Sequence, residues 1–271
     1  MSDARKAWFE GLPDRYAVGH RGAAGMVPEN TIESFQRAIE LGAQAIEFDV
    51  QETADGVWVV HHDETVNRTT NGRGLIRTMP WSDVSQLDAG YRFEPADERG
   101  FPWRGRGLRV PRLVDVLDAL PQTKLVIEIK TRQREAAPRL AAFLEAHQAQ
   151  EHSLVCSFYD ELLIEFRRHA PMCATGAGSG EAGQFIMGCY LRRTLPAELP
   201  YQALTIPRHH RGLPLVTRAV TSAAQRRGMH IQVWTINRPA RMRKLYDRGA
   251  QAMTSDYPDR ALAVLKQMTE K

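Results

Sequence analysis

His20, Glu47, Asp49 and His62 each stand at or near the carboxyl end of an apolar, strand-like run. Both open and closed parallel sheets place their chemistry at the carboxyl ends of their strands. Two imidazoles beside a carboxylate pair there suggest metal-assisted acid/base catalysis. Strand parity adds more groups. In Ala45 to Val50, the apolar Ile46, Phe48 and Val50 alternate with Glu47 and Asp49, so the carboxylates face away from the covering helices and into the sheet's mouth. Lys124 to Lys130 repeats the device: Leu125, Ile127 and Ile129 turn toward helices, leaving Glu128 and Lys130 inward.

Three carboxylates converging in a partly dry cavity raise one another's pKa, a conflict that a cation relieves. An all-oxygen donor set of Glu47, Asp49 and Glu128 selects Mg²⁺, Ca²⁺ or Mn²⁺ over zinc. The plain alternative is that Glu128 and Lys130 pair with each other at a strand end. Arg21, directly after His20, carries a guanidinium suited to bidentate phosphate binding. Asp63 could orient the ring of His62. Trp234 has the opposite parity to its neighbours Val233 and Thr235, and so either packs inside the sheet or offers a flat wall, or a cation–π platform, to a substrate.

These groups need a frame, and the periodicity supplies one. A strand over Tyr16 to His20 is followed by a helix over Thr31 to Leu41 with Ile32, Phe35, Ala38 and Ile39 on one face. Asn30 or Thr31 caps that helix and Gly42 stops it. A strand over Ala45 to Thr53 turns at Asp55-Gly56 into a hairpin partner over Val57 to His61. From Thr65 to Leu108 no long periodic element appears, yet Trp81, Tyr91, Phe93, Phe101 and Trp103 argue against disorder. The expectation is an ordered excursion over the active face. Alternation then resumes with helices over Pro111 to Leu120, Glu135 to Gln148, Asp160 to His169, Thr217 to Arg227, Pro239 to Arg248 and beyond Pro258. The intervening strands are Lys124 to Lys130, Ser153 to Phe158, Met172 to Gly176, Ala203 to Ile206, His230 to Ile236 and Ala252 to Ser255. Ala177 to Pro200 is the least regular part, with a short helix expected over Glu181 to Gly188. Eight strand–helix units predict an α/β chain folded as one TIM (β/α)₈ barrel over residues 1–271, with an insertion after the second strand.

Composition narrows the partners. A net charge of +4 arises from arginines scattered among acids, which is a mixed solvated surface rather than a nucleic-acid stripe, though it favours an anionic substrate. Cys156, Cys173 and Cys189 form no C-x-x-C pair and no zinc spacing with histidine. The first residues lack the apolar core of a secretory signal, and no long apolar run is present, so a cytoplasmic location without stable membrane association is expected.

Ten motifs, in order, are H-R-G (His20 to Gly22), P-E-N-T (Pro28 to Thr31), I-E-F-D-V, D-G-V-W-V-V-H-H-D (Asp55 to Asp63), R-T-T, L-D-A-G (Leu87 to Gly90), V-P-R-L, I-E-I-K, V-W-T-I-N and T-S-D-Y-P (Thr254 to Pro258). The ordered set resembles the glycerophosphodiester phosphodiesterase family across nearly the whole chain. That resemblance implies a TIM barrel that hydrolyses glycerophosphodiesters, such as glycerophosphocholine or glycerophosphoethanolamine, to glycerol 3-phosphate and an alcohol. By it, Glu47, Asp49 and Glu128 are metal ligands, His20 and His62 the acid/base pair, and Arg21 and Lys130 phosphate contacts. Departures are Arg112 in V-P-R-L, where the family usually has a small residue, and Ser255 inserted in T-S-D-Y-P. Two other readings are a phospholipase D-like or lysophospholipase D-like enzyme, which needs an apolar groove, and a barrel that only binds phosphorylated ligands.

Overall fold

The computed structural model describes residues 4–96 and 99–270. Its strands are β1 (Tyr16–His20), β2 (Ala45–Glu52), β3 (Trp58–Val60), β4 (Lys124–Ile129), β5 (Ser153–Cys156), β6 (Ala174–Thr175), β7 (Ala203–Pro207), β8 (His209–His210), β9 (Leu213–Pro214), β10 (His230–Trp234) and β11 (Ala252–Ser255). The helices are α1 (Ile32–Glu40), α2 (Trp81–Val84), α3 (Leu113–Ala119), α4 (Ala136–Ala146), α5 (Asp160–His169), α6 (Ser179–Tyr190), α7 (Arg218–Gln225), α8 (Pro239–Asp247) and α9 (Pro258–Thr269).

Parallel pairing runs β6-β5-β4-β2-β1-β11-β10-β7. The ring closes between β6 and β7, where Ala177 N–H donates to Ala203 O and Gln202 N–H to Thr175 O, both at 2.9 Å. This is the expected eight-stranded barrel. β3 lies antiparallel on β2, with Val50 opposite Val60, as the Asp55-Gly56 turn predicts.

Alternation divides the apolar residues into layers. Ile46, Phe48, Val50, Leu125, Ile127 and Ile129 join Phe35, Ala38 and Leu113 in the core between strands and helices. The opposite parity fills the lower barrel interior with Tyr16, Val18, Ala45, Val126 and Leu154. A 3₁₀ turn, Ala4–Phe9, stops the bottom: Trp8 is 1% exposed, and its Nε1 donates to Leu125 O at 3.0 Å. No periodic signal announced that turn.

Local chemistry explains the element ends. Thr31 Oγ1 accepts from Ser34 N–H at 3.2 Å and caps α1, while Gly42 takes the left-handed conformation (φ +98°) just past its end. Ile39 is at the margin of the α1 face rather than on it and is exposed, because that face centres on Ser34, Phe35 and Ala38. α6 is longer than the expected Glu181 to Gly188, its glycines having hidden the pattern. β6 is shorter than expected, and Met172 lies outside it, exposed. The β8–β9 hairpin was not anticipated. Its turn residues Arg211 and Gly212 both have positive φ, and arginine is not a usual signal for such a turn.

The described residues of the excursion between β3 and α3 are ordered. They include a 3₁₀ turn (Ile76–Thr78) and α2, and they bury Val66, Ile76, Val84, Leu87 and Leu108 against Val59 in a cluster of their own.

Candidate active site

Register brings the acidic and basic groups to one end of the barrel. His20 on β1 pairs with Glu47 on β2, and Asp49, two residues further along, pairs with Glu128 on β4. Both carboxylates of β2 and that of β4 therefore project inward at adjacent levels. One oxygen from each of Glu47, Asp49 and Glu128 lies within 4.8 Å of the others.

The turn after β1 is built for this wall. Arg21 (φ 49°) and Asn30 (φ 58°) both sit in the left-handed region, a strained conformation for residues with side chains. Hydrogen bonds hold them there: Arg21 N–H donates to Glu47 Oε2 at 3.1 Å, Asn30 N–H to Arg21 O at 3.1 Å, and Asn30 Nδ2 to Asp49 Oδ2 at 3.0 Å. Gly22 between them admits no side chain, since a Cβ would come within 2.4 Å of Ser34 Oγ. The guanidinium of Arg21 is clamped by Glu29 at 2.8 Å and Asp49 at 3.2 Å.

Each histidine is backed by a carboxylate. His20 Nδ1 is 2.6 Å from Asp256 Oδ1, and His62 Nδ1 is 2.6 Å from Asp63 Oδ1. An ionised carboxylate only accepts, so the proton sits on each Nδ1 and each Nε2 is left for chemistry. Asn237 Nδ2 donates to Asp256 at 2.5 Å, and Asn237 Oδ1 accepts from Asp256 N–H at 3.0 Å. Arg68 does the corresponding service for the other dyad: it spans Asp63 (Nε, 2.7 Å) and Glu29 (Nη1 and Nη2, both 2.7 Å).

Burial and charge set the ionisation. Burial, then the Asp49 charge, pushes Glu47 up to about 7. Burial also opposes the charge on Asp49, but Lys130 and Arg21 outweigh it and hold Asp49 below its ordinary range. Glu128 is raised by burial and by Asp49, despite Lys130 beside it. Burial pulls His20 down, but Asp256 and Glu47 more than compensate, so it ends above an ordinary histidine; burial carries His62 below one. Lys130 Nζ lies 2.5 Å from Glu128 and 2.9 Å from Asp49. Asp49 Oδ1, fully enclosed, has that ion-pair neighbour and no aligned hydrogen-bond donor.

All eight residues singled out in the sequence, His20, Arg21, Glu47, Asp49, His62, Glu128, Lys130 and Trp234, line a single cavity of about 130 Å³. Trp234 is half-buried and meets Phe158 edge to face, ring centres 5.7 Å apart. Sequence reasoning passed over Glu29, Asn30, Arg68, Asn237, Asp256 and Phe158. Five of them stand in or beside quoted motifs, but turn residues have no strand parity from which a direction can be read. No described residue of 65–108 lines this cavity; the excursion reaches the active face through Arg68. Among the described residues no helix is long and apolar enough to cross a membrane.

The profile of the glycerophosphoryl diester phosphodiesterase family matches residues 20–260. A glycerophosphodiester phosphodiesterase of Bacillus subtilis is 33% identical over 258 residues, covering 91% of this chain and 85% of its own. Among solved structures, a putative glycerophosphoryl diester phosphodiesterase from Silicibacter pomeroyi superposes with a TM-score of 0.79 at 27% identity and 98% coverage of both chains. A phosphodiesterase from Oleispira antarctica, determined with its product sn-glycerol-3-phosphate, gives 0.75 at 25% identity, covering 95% of this chain and 98% of that one.

Proposed function

From the premise that this chain belongs to the glycerophosphoryl diester phosphodiesterase family and is a phosphoric diester hydrolase, we propose that its cavity cleaves glycerophosphodiesters to glycerol 3-phosphate and an alcohol. The observation that carries the residue roles is the meeting, in one cavity, of a three-carboxylate wall with two carboxylate-backed histidines. A barrel that only binds phosphorylated ligands would not need both dyads.

The donor set fits a hard divalent cation, Mg²⁺, Ca²⁺ or Mn²⁺. Three oxygen ligands converge, burial and then the Asp49 charge hold the Glu47 carboxyl above its ordinary range, and Asp49 Oδ1 has no aligned donor. When bound to Glu47, Asp49 and Glu128, such an ion supplies Lewis-acid polarisation of a phosphoryl oxygen. The chain's own groups do the rest. Arg21 and Lys130, held in place by their carboxylate partners, present positive charge to the phosphate and stabilise the charge that builds on its oxygens. One histidine Nε2 removes the proton of the attacking hydroxyl and the other returns a proton to the departing alkoxide. Asp256 and Asp63 stabilise whichever ring is protonated. Trp234 and Phe158 form the flat side of the cavity against the substrate's carbon atoms.

The test is turnover of glycerophosphocholine by native protein, by chelator-treated protein and by protein resupplied with each of the three ions. Glu47→Gln, Asp49→Asn and Glu128→Gln should each lower kcat/KM by about 10² or more with the fold retained. Full activity in excess chelator, with no metal found by elemental analysis, would remove the ion from the reading.

A further inference from the structure

Gln232 on β10 and Thr205 on β7 are register partners of inward parity, and both line the catalytic cavity, Gln232 one inward step before Trp234 and so nearer the barrel floor. The acid/base and charge roles assigned above use neither. Gln232 is 2% exposed. Its Nε2 donates to Thr254 Oγ1 at 2.9 Å, while its Oε1 has no hydrogen-bond partner among the described residues. The Thr205 hydroxyl donates to a thiol, Cys156 Sγ at 3.7 Å, which is a weak acceptor. Two neighbouring polar groups are thus under-used inside the cavity, and an unpaired buried amide oxygen is costly enough to call for a partner.

We propose that Gln232 and Thr205 are specificity-determining residues that together bind one hydroxyl of the glycerol half of the substrate. The proposal rests on the reading of the catalytic cavity given above and adds which half of the diester lies innermost and what recognises it.

Chemical match is the first support. A hydroxyl both donates and accepts, so it donates to Gln232 Oε1 while accepting from Thr205; with the amide turned over, the two directions exchange. In either orientation of the amide one polar atom is left unpaired by protein. The terminal torsion of glutamine is soft, so a small turn presents that atom to a ligand. The side chains bonded to the pair carry no charge: they are Thr254 and the Cys156 thiol, which burial pushes up to about 12. Such a place suits a neutral hydroxyl, whereas the phosphate belongs beside Arg21 and Lys130. Shape is the second support, independent of the first. Tyr16, Val18 and Leu154 fill the shaft below and Trp8 stops it, so an arm pointing inward has fixed room. Glycerol is the arm common to every substrate. The second alcohol varies in size, and the mouth is the end that accommodates variation.

The test compares kcat/KM for glycerophosphocholine with that for two analogues, one with the secondary and one with the terminal hydroxyl of glycerol replaced by hydrogen. The native enzyme should turn over one analogue about 10- to 1000-fold less well than glycerophosphocholine, because the polar pair then faces no hydroxyl. That analogue identifies the hydroxyl bound. Gln232→Met, of similar volume but without N–H or C=O in its side chain, should bring the ratio of glycerophosphocholine to that analogue to within about threefold of one. Thr205→Val, which keeps the branched shape that suits a strand, should lower the same ratio by about three- to tenfold. A hydroxyl needed only for the chemistry would depress the analogue in native enzyme and variants alike, so the ratio rather than the rate reads the contact. Equal turnover of all three substrates, or a ratio that either folded variant leaves intact, overturns the pair and leaves the catalytic reading standing. No turnover of any substrate by the native enzyme overturns both.

Discussion

Two irregular regions flank the barrel mouth, and they spend their apolar residues in opposite ways. The excursion over 65–108, rich in aromatics, turns Val66, Ile76, Val84, Leu87 and Leu108 onto one another and onto Val59. Among its described residues, it is Arg68 that reaches the site, by charge. The region from α6 through the β8–β9 hairpin has fewer aromatics but leaves Met187 and Leu213 facing an open cavity. A count of aromatics says that a segment is ordered. Only the direction of its side chains says whether it closes on itself or waits for a ligand.

The contrast predicts that the apolar residues of neither flank are essential to bond cleavage, and the histidines between them break it most severely if it is wrong. His20→Ala and His62→Ala should each lower kcat/KM for glycerophosphocholine by about 10² to 10⁴. With a p-nitrophenyl ester one of the two losses should shrink sharply, because that leaving group departs without a proton, and the variant so relieved has lost the general acid. Equal losses on both substrates would sink the division of roles.

Next in size is the charged link that Arg68 makes from the excursion. Arg68→Ala leaves Asp63 with His62 and Glu29 with Arg21 but removes the bridge between them, and should lower kcat by about 10- to 100-fold with KM little changed, and shift the His62 limb of the pH profile. Arg68→Lys should recover little, since an ammonium cannot span two carboxylates as a planar fork does. An Arg68→Ala enzyme with native kcat would show that the excursion is a structural cap only.

The flanks themselves should respond unequally. Met187→Ser should lower kcat/KM for the glycerophosphodiester of an eight-carbon alcohol, relative to that of methanol, by about three- to tenfold, while Phe101→Ser, similarly exposed but in the excursion, should change that ratio less than twofold. Reversed results would exchange the roles assigned to the two regions.

The last effect, on stability with none on turnover, lies at the barrel floor, where no substrate reaches. His230 stacks on Phe9, ring centres 4.1 Å apart, and burial pushes its pKa down to about 4. The unfolded chain therefore binds more protons than the folded one between about 4 and 6.5. This contribution is fully present above pH 6.5 and is lost as the pH falls toward 4, by on the order of 2 kcal/mol. Denaturation of His230→Phe across that range should show a flatter pH dependence than the native chain; parallel curves would mean that the ring is solvated.

Much of the site was legible in the sequence because strand parity is a strict rule. Glu47, Asp49 and Glu128 alternate with residues that must face helices, so their direction followed before any coordinates. What parity cannot reach lies in turns. Asn30, Asp256 and Asn237 take their directions from φ values and hydrogen bonds that only the closed ring creates. The open cavity that Met187 and Leu213 face was hidden for a related reason: its walls come from β4, β5, α6, β7, β8, β9 and β10, and α6 carries glycines that blurred its period. The hairpin behind it turns on Arg211-Gly212, a pair without a usual turn signature.

Trp8 gives the barrel a consequence for traffic. With the indole seated at the floor and Tyr16, Val18 and Leu154 filling the shaft above it, the molecule is a cul-de-sac. Substrate, water and both products pass through the same doorway, so a departing alcohol and an incoming nucleophile contend for one passage. Whatever lingers at the mouth delays the next turnover, and a second alcohol supplied in excess stands in the queue where water would.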